Sequence, residues 1–229
     1  QGFNNDVLNR AIGISYSILR RSLKGFEYEG RYRVSNSQGK VLVKKTIYNF
    51  IRGNYRLVRR MREKQLKVIA VVDVSGSMLK YSLWTIISLA YVISIVKTII
   101  LFRDNVYVYK PPRRVIKPLI IKFLQILFHG GFHGYTNISL AIRSLKNVVS
   151  SNDIVLLFTD LEQTVKDSDP WVEAKDLVGK CRGLIVFVPI HHRFDVADRF
   201  REIGADVIIV DDVSKLPRLL RWRLNLKIW

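Results

Sequence analysis

Asp73, Ser75 and Ser77 stand at alternate positions in the run Asp73-Val74-Ser75-Gly76-Ser77. In a tight turn alternate residues can project to one side, which would gather one carboxylate and two hydroxyls within a few ångströms. All three offer hard oxygen donors, a set that suits Mg²⁺, or Mn²⁺ or Ca²⁺, far better than zinc or copper. Mg²⁺ takes about six oxygens and keeps several waters, so three side chains cannot complete its shell and other loops must contribute. Thr136, expected to open a helix after a glycine-rich loop, and Asp160, at the end of a strand, are the candidates. Helix capping alone would also favour Asp and Ser in the pentad. Agreement among three separated segments is what favours a metal.

The elements that must position these residues can be read from periodicity. Leu66 to Val72 is a continuous, largely β-branched run, as expected of a strand buried on both faces. An apolar helix from about Met78 to Val96 should follow the pentad. Thr98–Phe102 and Val106–Tyr109, parted by Arg103-Asp104-Asn105, read as a hairpin that Pro111-Pro112 ends, so one strand runs against the others. Val115 to Phe128 reads as a helix, His129 to Gly134 as a glycine-rich loop, Thr136 to Val149 as a helix and Ile154 to Thr159 as another buried strand. Pro170 to Cys181 is a helix opened by Asp169 and Pro170. Leu184–Pro189, Val196–Ile203, Val207–Val210 and Ser214–Leu224 then give strand, helix, strand, helix. Alternation of this kind predicts an α/β fold: a Rossmann-like, doubly wound, mostly parallel sheet with one antiparallel strand and helices on both faces. Ligands of such sheets sit at the carboxyl ends of the strands, which is where Asp73, Thr136 and Asp160 would lie.

Residues 1–65 read differently, as a basic N-terminal α/β extension packed on a main domain of residues 66–229. A helix is expected near Asp6 to Lys24, a polar turn at Ser35 to Gly39, a helix from Lys40 to Arg52 and a basic strand from Asn54 to Arg62. The net charge is +19, and residues 1–67 hold 16 Lys and Arg against 4 Asp and Glu. That excess points to an anionic partner, whether nucleic acid, an acidic protein face or a membrane surface, unless it is simply a solvated surface. Hydrophobic residues at 48% and charged residues at 25% fit a globular chain rather than a disordered one. A lone cysteine, Cys181, excludes an intrachain disulfide. The uncharged stretch Leu83 to Val96 is 14 residues long, short of the about 20 that cross a bilayer, so the expectation is a soluble, cytoplasmic protein.

Asp73-Val74-Ser75-Gly76-Ser77-Met78, then Gly134-Tyr135-Thr136-Asn137-Ile138, then Phe158-Thr159-Asp160 together resemble the metal-ion-dependent adhesion site (MIDAS) of von Willebrand factor A (vWA) domains. The resemblance implies the vWA fold from about Leu66 onward, with Ser75, Ser77 and Thr136 touching the metal and Asp73 and Asp160 acting largely through bound water. It also implies that a partner protein's Asp or Glu takes the remaining position, with Gly134, Tyr135, Asn137, His133 and Leu161 forming the contact surface around it. Lys44-Lys45-Thr46-Ile47 and Arg56-Leu57-Val58-Arg59-Arg60 ahead of the motif, and Tyr81-Ser82 behind it, are similar to the CoxE-like branch. Members of that branch typically work beside MoxR-type AAA+ ATPases in remodelling or maturing a client enzyme. The chain departs from the family pattern where Leu161 stands in place of the usual glycine and where Phe132-His133 lengthens the loop before Thr136.

Other features carry less. His129 and His133 are parted by Gly130-Gly131, which argues against helix-borne zinc ligands. His191-His192 reads as a loop pair, Glu162 and Asp167 read as surface carboxylates, and no Cys-His-Asn arrangement surrounds Cys181. Neither a Walker-type phosphate loop nor a dinucleotide glycine fingerprint follows the first strand. The leading expectation is therefore a non-enzymatic, Mg²⁺-dependent interaction module. The alternative is RNA or DNA binding by Arg52, Arg56, Arg59, Arg60 and Arg62, interleaved with Phe26, Tyr28, Tyr32, Tyr48 and Tyr55. A metal-assisted phosphohydrolase would need a dedicated base, which the sequence does not display.

Overall fold

The computed structural model describes residues 5–29, 32–35, 40–62, 66–129 and 134–224. The chain divides into two compact units, Gln1–Leu23 with Leu66–Trp229, and Lys24–Gln65. The expected division after residue 65 is thus displaced, because the first 23 residues belong with the main unit. In α1 (Asn5–Glu29), Leu8, Ala11, Ile12, Leu19 and Leu23 recur at helical spacing and all are buried in that unit's core.

The main unit is built on a six-stranded sheet. In chain order its strands are β4 (Lys67–Asp73), β5 (Val96–Phe102), β6 (Val106–Tyr109), β7 (Asp153–Phe158), β8 (Gly183–Pro189) and β9 (Asp206–Val210). They lie side by side in the order β6-β5-β4-β7-β8-β9. Only β6 runs antiparallel, paired with β5 from Ile99↔Tyr109 to Phe102↔Val106, so the expected hairpin is present. The helices are α3 (Leu79–Val92), α4 (Lys117–His129), α5 (Ile138–Leu145), α6 (Pro170–Val178), α7 (Phe194–Glu202) and α8 (Leu216–Arg223).

Alternation along the buried strands decides which helix packs where. Val68, Ala70 and Val72 of β4, with Leu156 and Phe158 of β7, face α1, α3, α4 and α8. Ile69 and Val71, with Val155 and Leu157, face α5, α6 and α7. Both faces of the sheet are covered, which is why these strands read in sequence as unbroken apolar runs. The chain leaves β4 toward β5 on one side and returns to β7 on the other. That reversal opens a crevice at the carboxyl end of β4, directly beyond Asp73.

Three boundaries differ from expectation. The helix after the pentad stops at Val92 and the strand begins at Val96. Both segments are apolar and buried, so composition does not mark the change. Thr136 does not open a helix. Asn137 is the cap of α5, its Oδ1 accepting the Leu140 N–H at 2.9 Å, and Thr136 lies one residue outside. In the smaller unit Lys40–Val41 is a short strand, β2, and not the start of a helix. It joins β1 (Tyr32–Ser35) and β3 (Arg59–Arg62) in an antiparallel sheet ordered β1-β3-β2. The helix there is α2 (Val43–Ile51), tied to the strand side by Thr46, whose Oγ1 accepts the Val58 N–H at 3.0 Å. The expected turn at Ser35 to Gly39 and the loop residues 130–133 lie largely outside the described residues.

Candidate metal centre

β4 ends at Asp73, whose side chain is fully buried. Its Oδ1 accepts the Ser75 N–H at 2.9 Å, closing the turn, and its Oδ2 accepts the Thr159 hydroxyl at 2.9 Å from the end of the neighbouring strand β7. The Ser82 hydroxyl donates to the Asp73 carbonyl and to that of Met78, fixing the start of α3 against the turn. The backbone of Val74 continues the ladder, donating to the Phe102 carbonyl at 2.9 Å.

Within this turn the two serine hydroxyls face each other, Ser75 Oγ to Ser77 Oγ being 3.3 Å. The Ser77 hydroxyl then donates to Asp160 Oδ2 at 2.8 Å, across a gap of 83 residues in the chain. The expected convergence of the pentad with Asp160 is therefore present in direct contact. Asp160 is held in turn by the Glu162 N–H on Oδ1 (3.0 Å), and its carbonyl accepts the Arg193 N–H at 3.0 Å.

Thr136 is buried and is clamped from both sides of the crevice. Its N–H donates to Thr164 Oγ1 at 2.7 Å and its carbonyl accepts the Thr164 and Val165 N–H groups at 3.0 and 3.2 Å. The next residue, Asn137, donates its N–H to the Arg103 carbonyl at 2.9 Å, just past β5. Thr136 is thus pinned between the loop carrying Asp160 and the end of β5, flanking the strand that carries Asp73.

The electrostatics of this cluster are unusual for such a basic chain. Neither Asp73 nor Asp160 is in an ion pair among the described residues; every hydrogen bond each accepts comes from a neutral N–H or O–H. Burial pushes the Asp73 carboxyl up to about 7, with the Asp160 charge adding to the rise and the bonds from Ser75 and Thr159 opposing it. Two buried carboxylates ringed by hydroxyls, neither paired with a cationic side chain among the described residues, are a donor set a hard divalent cation fits. Among the described residues no group of three or more His, Cys, Asp or Glu is placed to hold a metal, so a cation here depends on the hydroxyls.

Several expected contact residues have other work. Leu161 is 1% exposed and packs in the core beneath the loop, at a left-handed φ of 62°. A leucine pays steric strain in that conformation where glycine would not, and its buried side chain offers nothing to a partner. Asn137 is likewise buried, capping α5 and donating to Asp167 Oδ2 at 3.0 Å. Tyr135 is 69% exposed and available. Gly134 has a φ of 107°, and a Cβ there would meet Arg103 Cδ at 3.5 Å. His133 lies outside the described residues. Asp167 is no idle surface acid: it binds Arg143 in a two-pronged bond of 3.0 and 2.5 Å, and the guanidinium holds its carboxyl well below the usual range. Of the supporting residues Thr159, Thr164 and Arg103, only Thr159 had a sequence signal, its place beside Asp160.

The second basic group is also placed in part. In the smaller unit Arg52 stacks 4.3 Å from the centre of the Tyr48 ring, and Tyr48 and Tyr55 are exposed, as is Arg56. Arg59, Arg60 and Arg62 fall on β3. Among the described residues no helix is long and apolar enough to cross a membrane.

No curated protein matches the sequence. Among solved structures, proximal thread matrix protein 1 from the mussel byssus superposes with a TM-score of 0.54 at 18% identity, over 69% of this chain and 46% of that one. Another structure of that protein has a zinc-occupied MIDAS motif. The conserved hypothetical protein BatB from Bacteroides thetaiotaomicron gives a TM-score of 0.53 at 14% identity, over 70% of this chain and 97% of that one. A von Willebrand factor type A protein from Catenulispora acidiphila gives 0.52 at 15%, over 73% and 44%. At these identities the likeness speaks for the fold alone, and the aligned part is under half of the mussel protein. A family model described as VWA domain containing CoxE-like protein matches residues 17–219, spanning the cluster and most of the sequence before it. The chain belongs to that family of CoxE-like vWA-domain proteins.

Proposed function

We propose that this protein is a divalent-cation-dependent protein-interaction module of the MIDAS type, without catalytic activity of its own. The observation that carries this is the pair of buried carboxylates, Asp73 and Asp160, neither of them in an ion pair among the described residues of a chain of net charge +19. Asp73, Ser75, Ser77, Thr136 and Asp160 would hold the ion, Mg²⁺ foremost, with Mn²⁺ or Ca²⁺ as substitutes. When bound, the ion supplies a positive charge only partly neutralised by its ligands, which attracts an Asp or Glu of a partner protein. Ser75, Ser77 and Thr136 contribute neutral oxygens and so leave that charge available. Thr159 and the Ser75 N–H hold Asp73 in place, and Thr164 and Arg103 hold the Thr136 segment in place. The exposed Tyr135 next to Thr136 is the part of the loop a partner would touch first.

The CoxE-like family supports a finer assignment, an intracellular adaptor working with a MoxR-type AAA+ ATPase in remodelling or maturing a metalloenzyme. Co-expression with such an ATPase from the same genome tests both levels. Co-elution in MgCl₂ that disappears in EDTA and in Ser77→Ala supports the assignment, whereas co-elution indifferent to both contradicts a metal-mediated contact.

A second reading, binding of RNA or DNA by residues 24–65, is favoured by the exposed Tyr48 and Tyr55 beside Arg52 and Arg56. Phosphate neutralisation makes affinity fall steeply with salt. Absence of binding at low salt would remove this reading.

A further inference from the structure

Beyond the cluster, the carboxyl edge of the sheet carries a cleft of about 540 Å³ between the pentad and the loops after β8 and β9. Its walls include Ser77, Tyr81, Asp160, Glu162, Asp211 and Asp212. A second hollow of about 310 Å³ shares Asp160, Glu162 and His191 with it and adds His192, Phe194 and Arg193, whose guanidinium is already paired with Asp195. The two form one groove, with the proposed metal ligands Ser77 and Asp160 on its wall.

Two buried polar atoms of residues lining this groove have no hydrogen-bond partner among the described residues. Tyr81 is 4% exposed and its hydroxyl is unpaired. Burial drives its ionisation well above the usual phenol range, so it stays a donor. His192 is 9% exposed, and its Nδ1 lies 2.7 Å from the Pro189 carbonyl, which can only accept. In the neutral ring the proton therefore sits on Nδ1, leaving Nε2 as an unpaired acceptor. Buried polar atoms of folded proteins are nearly always paired, so this groove is prepared for a donor at one end and an acceptor at the other.

Charge says what kind of donor. The larger cleft sets Asp160, Glu162, Asp211 and Asp212 against one lysine, Lys80, in a chain with twice as many basic as acidic residues. The Asp211–Lys215 pair is exposed on both sides, 62% and 55%, and so exchanges readily for a better partner.

We propose that this groove receives an arginine side chain from the same partner segment whose carboxylate reaches the metal centre, so that the recognised sequence joins an acidic residue to a nearby arginine. This rests on the metal-dependent interaction proposed above and names the partner's chemistry. The guanidinium donates in a planar fork, matching a carboxylate such as Glu162 together with the bare His192 Nε2. Phe194, 63% exposed and 4.4 Å from the His192 ring, supplies an aromatic face for it to lie on. The Tyr81 hydroxyl then donates to a carbonyl of the segment.

Synthetic fluorescent peptides test this in a factorial design: with or without an aspartate, and with or without an arginine placed at each neighbouring position in turn. Anisotropy is read in MgCl₂ and in EDTA on wild type, Asp211→Asn/Asp212→Asn, Glu162→Gln and Ser77→Ala. At the favoured spacing arginine should add about tenfold to the affinity of the aspartate peptide. The factor should shrink to about twofold or less in the double variant and in Glu162→Gln, while Mg²⁺-dependent binding of the aspartate peptide persists. An arginine factor that is absent, or that survives in both of these folded variants, overturns the proposal. Loss of Mg²⁺ dependence with an intact arginine factor would instead refute the metal-centred function and leave the groove assignment standing.

Discussion

Asp73→Asn should stabilise the metal-free protein while abolishing its response to metal. The Asp73 carboxyl, ordinarily near 3.8, is pushed up to about 7 by burial. Its folded-state value lies above its unfolded-state value, so the stability contributed by the neutral form is whole below about pH 3.8 and is lost as the pH rises to about 7. At ~1.4 kcal/mol per pH unit, that gap amounts to ~4 kcal/mol of destabilisation at neutral pH. Asparagine removes the charge but fits imperfectly. Its oxygen can keep the Ser75 N–H bond, yet its amide would face Thr159 Oγ1, which already accepts the Leu161 N–H at 3.1 Å. The mismatch leaves the Thr159 proton without an acceptor and costs ~1–2 kcal/mol. The net expectation is a gain of ~2–3 kcal/mol, or roughly 5–10 °C in melting temperature for a domain of this size. Thermal and urea unfolding in EDTA should show this at pH 7.5, shrinking toward zero or reversing near pH 4. Adding MgCl₂ at pH 7.5 should raise the wild type and leave the variant unmoved. A variant less stable than wild type in EDTA at pH 7.5 would refute the claim that Asp73 is held as an uncompensated buried charge.

Metal affinity, measured by calorimetric titration of Mn²⁺, should fall as pH drops below about 7, because a proton on Asp73 competes with the ion; affinity constant from pH 7.5 to 5.5 would contradict this. Thr164→Val removes the acceptor of the Thr136 N–H and should cost ~0.5–1.5 kcal/mol in urea unfolding, with weaker metal binding because the Thr136 segment loosens. Leu161→Gly relieves left-handed strain worth ~1–2 kcal/mol but empties a buried leucine site worth ~2–5 kcal/mol. Chemical unfolding should accordingly show a net loss of ~1–3 kcal/mol, and a gain would mean the strain dominates. Arg143→Met should flatten the acid limb of stability. Asp167 and Glu173 lie below their ordinary values through Arg143 and Lys146, so their contribution is present above those values and lost as the pH falls through the depressed ones. Melting temperature against pH from 7 down to about 2 reads this directly.

The sheet was legible because β4, β7 and β8 carry continuous apolar runs that only two-sided burial explains, and the meeting of Asp73, Ser75 and Ser77 with Asp160 because they stand at or just past strand ends. What periodicity could not show was where a buried apolar stretch turns from helix to strand, as at Ile93–Val96. Nor could it show whether an amphipathic helix such as α1 belongs to its sequence neighbours or to the core of a distant segment. The identity of the capping residue was lost for a related reason: Thr136 and Asn137 are both good caps, and only the Asn137 bond to Leu140 distinguishes them. Leu161 and Asn137 were expected at a partner surface from their place in the motif, but burial and internal hydrogen bonds claim both. The clamps from Thr164 and Arg103 depend on loops folding back on one another, and no repeat or spacing announces that.

Crystals soaked in MnCl₂, with anomalous scattering used to locate the ion, test the central claim most directly. The account predicts one strong peak within about 2.5 Å of the Ser75 and Ser77 hydroxyls, adjoining Thr136 and Asp160, and no such peak in Ser77→Ala. An empty site at saturating Mn²⁺, or an ion bound away from these residues, would contradict it.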